Sequence, residues 1–370
     1  MNKTKNNRGQ LVIHREAQRK KGDLKVIDFF CGAGGMSYGF QKAGIRVVAG
    51  IDIASECRET YESNIKGSKF IYADVKELTF VELESHVSIQ KKDDSLIFIG
   101  CSPCQYWTTI KTTREKSKDS KDLLVDFRRF VSHYLPGFVV IENVPGLYTR
   151  EGSPLKSFLR FLKKNGYTYR HEIVNAAHFG VPQTRKRFLL IASRVGNEVQ
   201  FLEHKPGTVP TVRDFIGAEK DFPKLTAGHT DTTNALHTTA GLSPKNLQRI
   251  RLTPHDGGTR LAYVNKKRLA VPSQYKNSRT FADTYSRMFW DKPAPTITTK
   301  FVSLSNGRFG HPDQDRALSL REGAALQTFA PTYTFFGSGI ASISRQIGNA
   351  VPPLLSQQIA EAVIKTYKKT

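Results

Sequence analysis

Between Leu24 and Ser193 the chain repeats one texture, short runs of four to six mostly apolar residues separated by longer amphipathic stretches. The apolar runs predict strands at Lys25–Phe29, Arg46–Ile51, Phe70–Ala73, Leu96–Ile99, Phe138–Glu142, Tyr169–Val174 and Arg187–Ile191. The stretches between them predict helices, among them Ser55–Asn64, Leu123–Tyr134 and Ser157–Asn165. Strands alternating with helices imply an α/β fold: a doubly wound, mostly parallel sheet covered on both faces. Such a sheet presents its chemistry at the carboxyl ends of its strands.

After Ser193 the texture changes. Residues 195–310 are rich in Pro, Gly and Thr, show little helical periodicity, and carry 17 Lys and Arg against 9 Asp and Glu. They read as a second, smaller and irregular domain with a basic face. Helical pattern returns at Ser319–Thr328. It returns again after Pro352-Pro353, through Leu355, Ile359, Val363 and Ile364. Proline suits a first helical turn, where its missing N–H would have no partner anyway. The last helix is expected to pack back onto the first domain. The expected division is a basic flexible arm over 1–22, a discontinuous domain of 23–194 and 316–370, and the irregular domain over 195–315.

Charge narrows the classes of function. Lys and Arg number 56 against 33 Asp and Glu, a formal net charge of +23. Such an excess attracts polyanions, and nucleic acid is the expected one; a ribosome-associated or merely basic protein is the alternative. Four cysteines (Cys31, Cys57, Cys101, Cys104) are too few and scattered for a disulfide framework. Cys101 and Cys104 form a Cys-x-x-Cys pair, but no second pair completes a zinc set, so no metal is expected. Met1 to Lys21 is polar and lacks the apolar core of a signal peptide, and no run reaches membrane-spanning length. A cytoplasmic protein with no membrane partner is expected.

Four constellations carry candidate chemistry. Asp28-Phe29-Phe30-Cys31-Gly32-Ala33-Gly34-Gly35 is a strand end followed by a glycine-rich turn, with Asp52 and Asp74 ending the next two strands. Glycines let a ligand approach backbone N–H groups, and an acid after the second strand can accept from ribose hydroxyls. The dinucleotide spacing is incomplete, so a nucleoside cofactor such as S-adenosylmethionine fits better than a dinucleotide or a purely structural turn. Glu142, at a strand's carboxyl end, can act as an acid where burial permits, or can simply cap or pair. Arg185 and Arg187 have strand spacing and so share a face suited to an oxygen-rich ligand, or are ordinary edge charge. Cys104, held by Pro103 after the strand Leu96–Ile99, is a candidate nucleophile.

These segments, in this order, resemble the DNA cytosine-5 methyltransferase family of prokaryotic restriction-modification type. Phe29–Phe40 resembles its cofactor motif, Pro103-Cys104-Gln105 its nucleophile motif, and Glu142-Asn143-Val144 its Glu-Asn-Val motif. Gln183-x-Arg185-x-Arg187, Arg321-Glu322 and Gln346-Ile347-Gly348-Asn349-Ala350-Val351-Pro352-Pro353 resemble three more. The resemblance spans about 24–193 and 316–366.

It implies methyl transfer from S-adenosylmethionine to carbon 5 of a flipped-out cytosine in a specific duplex sequence, leaving S-adenosylhomocysteine. Cys104 would add to carbon 6, Glu142 would polarise the ring through N3 and the exocyclic amine, and Arg187 would hold O2 with Arg185 in support. Cys101 is expected to pack inside. The cofactor would meet Phe29, Gly32, Ala33, Gly34, Gly35, Asp52, Ile53, Asp74, Val75, Pro103, Leu123, Asn349, Ala350 and Val351. The stretch 109–121, with Lys111, Arg114 and Lys116, resembles the loop that closes over the base. The middle region stands where the family keeps its target-recognition domain, and Arg249, Arg251, Arg260, Arg279 and Arg287 are its candidate DNA contacts. The family follows Pro-Cys-Gln with a small or polar residue, Phe and Ser; here Tyr106-Trp107-Thr108 stands there, and Thr108 keeps the hydroxyl.

Double-stranded DNA is the implied partner, with a cognate restriction endonuclease as functional counterpart, for a monomeric protein at the nucleoid. Two competitors reuse the features: a tRNA cytosine-5 methyltransferase, and a silent DNA-binding homologue, which would be expected to lack Cys104, Glu142 or Arg187. A nicotinamide-dependent enzyme would need a complete pyrophosphate fingerprint.

Overall fold

A computed structural model describes residues 3–5, 11–13, 23–102, 122–196, 198–203, 207, 209–271 and 283–368. Seven strands form the main sheet: β1 (Lys25–Phe29), β2 (Arg46–Asp52), β3 (Lys69–Tyr72), β4 (Leu96–Gly100), β5 (Phe138–Asn143), β6 (Thr168–Asn175) and β7 (Lys186–Ser193). Their spatial order is 3-2-1-4-5-7-6. Neighbours are parallel from β3 to β5, whereas β7 runs antiparallel to both β5 and β6. All seven lie where the apolar runs predict them. Burial on both faces is why β1, β4 and β5 read as continuous apolar runs.

One apolar cluster covers each face of the sheet. The first unites β1, β2 and β4 with helix α1 (Gly35–Lys42) and the C-terminal helix Pro353–Lys368. That helix therefore packs back as expected, burying Leu355, Ile359 and Val363. The second cluster holds the other face, where Phe29 meets Phe98 and Phe127 edge-on with ring centroids 5.1 Å apart. It is covered by the helix Leu123–Tyr134, which has the predicted bounds. A third cluster joins residues of 212–301 to Leu318, Leu320, Phe329, Tyr333 and Ile347, so the middle region and the C-terminal segment share apolar packing. A fourth, around Ile250, Tyr263 and Tyr285, belongs mainly to the middle region.

Within residues 1–22, read from sequence as a flexible arm, two three-residue strands pair antiparallel, Lys3 opposite Ile13. Ser319 caps the helix Leu320–Leu326 in a reciprocal box with Glu322, which fixes the helix start the sequence suggested.

Candidate active site

The carboxyl ends of β1 to β5 lie side by side, because Phe29 pairs with Ile51 and Gly100, Asp52 with Tyr72, and Gly100 with Ile141. On β1 the chain turns through Phe30 (φ 63°) and Gly32 (φ 51°). Space is open within 4 Å of the position a Gly32 side chain would take, so this glycine serves room as well as conformation. Its N–H donates to Asp52 Oδ2 at 2.7 Å, while Oδ1 accepts from Ala54 at 2.8 Å. Burial raises the Asp52 carboxyl, and the backbone N–H donors of Ala54 and Gly32 pull it back. Ile53, beside it, exposes 61% of its surface next to this turn.

Packing dictates Gly35, and packing together with a left-handed backbone (φ 85°) dictates Gly34. A Gly34 side chain would meet Tyr61, Ile65 and Tyr333, and a Gly35 side chain would stand 2.5 Å from the Val351 carbonyl. Tyr333 also donates to the Ala33 carbonyl. Ala350 and Val351, expected at the cofactor, are buried behind the turn and brace it; Asn349 is exposed at the helix end. Phe29 and Val75, also expected at the cofactor, turn their side chains into the core, and Leu123 is buried at the start of its helix. The aromatic presented at the strand end is instead Phe30, half-buried. Asp74 is half-buried and accepts from the Lys76 N–H at 3.0 Å.

Glu142 is 2% exposed. It lies opposite Leu189 across the antiparallel β5–β7 pair, and Arg187, two residues along, shares that face. Arg187 Nε stands 2.9 Å from Glu142 Oε1, but its N–H is not aimed at that oxygen, which has no hydrogen bond among the described residues. Cys101 donates to Oε2 at 2.8 Å. Cys101 packs against the first apolar cluster, as expected, but it is only half-buried and its thiol also lies on the carboxylate. Asn143, given no role from sequence, donates to both the carbonyl and the hydroxyl of Ser102, at 3.1 Å each, and so fixes the backbone just before Pro103. Pro103, Cys104, Lys111, Arg114, Lys116 and Arg279 lie outside the described residues. Burial pushes the Cys31 thiol far up and the Cys57 thiol up to about 12, which keeps both protonated and poor as nucleophiles.

Arg185 does not join Arg187. Its guanidinium donates to the carbonyls of Ile297 and Ala350 at 3.1 and 3.0 Å. Gln183 likewise bonds Leu326, Gln327 and Ile297. The Gln-x-Arg-x-Arg segment therefore splits into two residues that fasten the sheet to the segments after it and one that reaches the site. Gly348 completes that fastening, since a side chain there would collide with the backbone of Thr298 and Thr299 at 2.4–2.5 Å.

Two candidate DNA contacts are corrected on similar grounds. Arg287 is wholly buried and donates to the carbonyls of Thr253, His311, Gln314 and Ile250 and to Asp315. Arg249 is buried on the carbonyls of Leu269 and Ala270 and on Asn246. Arg260 is half-buried and donates to Thr284 Oγ1 at 2.7 Å. Arg251 is exposed, 3.9 Å from Asp315, and lines an open groove with Lys266, Lys267 and Arg268. Among the described residues no cluster of His, Cys, Asp and Glu could hold a metal, and no helix is long and apolar enough to cross a membrane.

The profile of C-5 cytosine-specific DNA methylases matches residues 24–365. The Type II methylase M.HgiDII of Herpetosiphon aurantiacus is 36% identical over 344 residues, covering 91% of this chain and 94% of that protein. The Type II methyltransferase M1.HphI of Haemophilus parahaemolyticus is 34% identical, covering 92% and 87%. The fold is similar to that of a DNA modification methyltransferase encoded within an E. coli prophage, with a TM-score of 0.70 at 22% identity, over 93% of this chain and 99% of the other.

Proposed function

The chain belongs to the C-5 cytosine-specific DNA methylase family, and from that premise we propose how its residues divide the reaction. Its activity is methylation of carbon 5 of cytosine in DNA, by an S-adenosylmethionine-dependent fold; the family match favours DNA over tRNA. Carbon 5 is a weak nucleophile. Cys104 thiolate adds to carbon 6, which places enamine-like electron density on carbon 5. Glu142 sits against N3 and the exocyclic amine and stabilises the charge that develops on the ring. Arg187 holds O2 and keeps a positive charge beside Glu142. Once carbon 5 carries the transferred methyl group and is tetrahedral, a base removes its proton; that electron pair restores the 5–6 double bond as Cys104 leaves as thiolate.

The observation that carries this reading is the buried Glu142–Arg187 pair at the strand ends, with Oε1 lacking a hydrogen bond. Asn143 holds Ser102 next to it, where the chain runs on to Pro103-Cys104. The target atom is hidden in stacked duplex, so the cytosine must be extruded to reach such a site.

The residues at the ends of β1 and β2 fit the cofactor. Gly32 gives open room at positive φ, Phe30 and Ile53 offer apolar surface, and Asp52 offers a carboxylate for ribose hydroxyls. S-adenosylmethionine, when bound there, supplies the methyl group. Ala350 and Val351 act one layer behind, by fixing Gly35. In the middle region Arg251, Lys266, Lys267 and Arg268 meet phosphates, and residues 195–315 serve target recognition. The resemblance to Type II methylases supports a role beside a cognate endonuclease in the cytoplasm.

The test is plasmid DNA from a methylation-deficient host expressing the chain, read by bisulfite sequencing. The expected result is 5-methylcytosine confined to one short sequence context, and its loss in Glu142→Gln. Absence of methylated cytosine in every DNA context, with methylation recovered instead in RNA, would overturn the reading.

A further inference from the structure

Cys101 donates its thiol hydrogen to the carboxylate of Glu142 from across 41 positions of sequence. The parallel register puts Gly100 beside Ile141, so the next residues, Cys101 and Glu142, are lateral neighbours on one face. A glutamate's last torsion is broad, and the backbone alone leaves its carboxylate free to rotate. Arg187 pairs with it by charge but supplies no hydrogen bond to set its angle, since its Nε lies 2.9 Å from Oε1 without aiming a proton there. The thiol does, by donating to Oε2 at 2.8 Å. That leaves Oε1, a buried oxygen with no hydrogen bond among the described residues, as the acceptor for an incoming donor.

We propose that Cys101 is a positioning residue. Its thiol occupies Oε2 and orients the Glu142 carboxylate, so that Oε1 meets the N–H donors of the extruded cytosine. The inference rests on the reading of Glu142 given above. A sulfur merely filling space would make no such demand, and alanine or serine would replace it equally well.

The measurement is steady-state and single-turnover methylation of a duplex by Cys101→Ala, Cys101→Ser, Glu142→Ala and the Cys101→Ala/Glu142→Ala double variant. Losing one hydrogen bond to a charged group should lower kcat about tenfold in Cys101→Ala, with KM for DNA within about twofold. Serine is close to alanine in size but keeps a donor, so Cys101→Ser should stay within about threefold of wild type. A packing defect would strike both variants alike. Adding Cys101→Ala to Glu142→Ala should cost nothing further. Equal losses in alanine and serine, an unimpaired Cys101→Ala, or an undiminished tenfold loss in the double variant would each overturn the proposal. Wild-type rates in Glu142→Ala would instead sink the assignment of Glu142 itself.

Discussion

Arginine does opposite work in the sheet and in the middle region. Within the sheet, where β7 pairs on both sides and the ladders satisfy the backbone, Arg187 reaches a side chain, Glu142, and otherwise bonds only the neighbouring Lys186 carbonyl among the described residues. The middle region has few regular elements, and its carbonyls need donors from elsewhere. Arg287 and Arg249 supply them, using the planar five-donor fork that no other side chain offers. Positive charge in an irregular domain is therefore partly scaffold. The cations available to DNA are the remainder, such as Arg251 beside Lys266, Lys267 and Arg268.

The largest expected effect follows from removing the scaffold. Arg287→Met leaves the carbonyls of Thr253, Ile250 and His311 without that donor inside the protein. Denaturant unfolding should show a loss on the order of 3–5 kcal/mol. A loss within about 1 kcal/mol would erase the distinction between the two regions.

Carboxyl groups repeat the contrast with a different pH signature. Glu322 is gripped bidentately by Arg316, at 2.8 and 2.7 Å; despite full burial that cation pulls it down to about 2. Asp28, under the glycine turn, pairs with no cation among the described residues. Burial lifts it to about 7, against the Ser37 hydroxyl, which donates at 2.6 Å, and the Ser37 backbone N–H. A raised folded-state value means that Asp28 favours folding most below its unfolded value of 3.8, and that this contribution is lost as pH rises through about 7. Asp28→Asn should therefore gain stability over wild type between pH 5 and 8, by roughly 2–3 kcal/mol. A difference that does not change with pH would contradict the burial argument. The smallest effect belongs to an exposed cation. Arg251→Ala should leave stability unchanged and reduce the salt slope of DNA binding by about one, for one lost phosphate contact.

Most of the sheet was legible because buried strands such as Leu96–Gly100 are continuous apolar runs; the edge strand Thr168–Asn175, also where predicted, is more polar and exposed along much of its length. Burial also hid which of two adjacent aromatics is partly exposed at the strand end. Phe29 and Phe30 look alike in a run buried on both faces, and only the turn at φ 63° decides for Phe30. Arg249 and Arg287 were misread because charge counts carry no information about distant carbonyls. The partners of Cys101 and Asn143 gave no signal, since each bonds a residue 41 positions away that only strand register brings near.

The central claim is that Cys104 adds to an extruded cytosine held by Glu142 and Arg187. A duplex containing the recognition sequence, with 5-fluorocytosine at the target position, tests it most directly in the presence of S-adenosylmethionine. Fluorine cannot leave carbon 5 as a proton does, so the adduct should persist through denaturing electrophoresis. Wild type should form it, and Cys104→Ser should not. Cross-linking that survives Cys104→Ser would contradict the account.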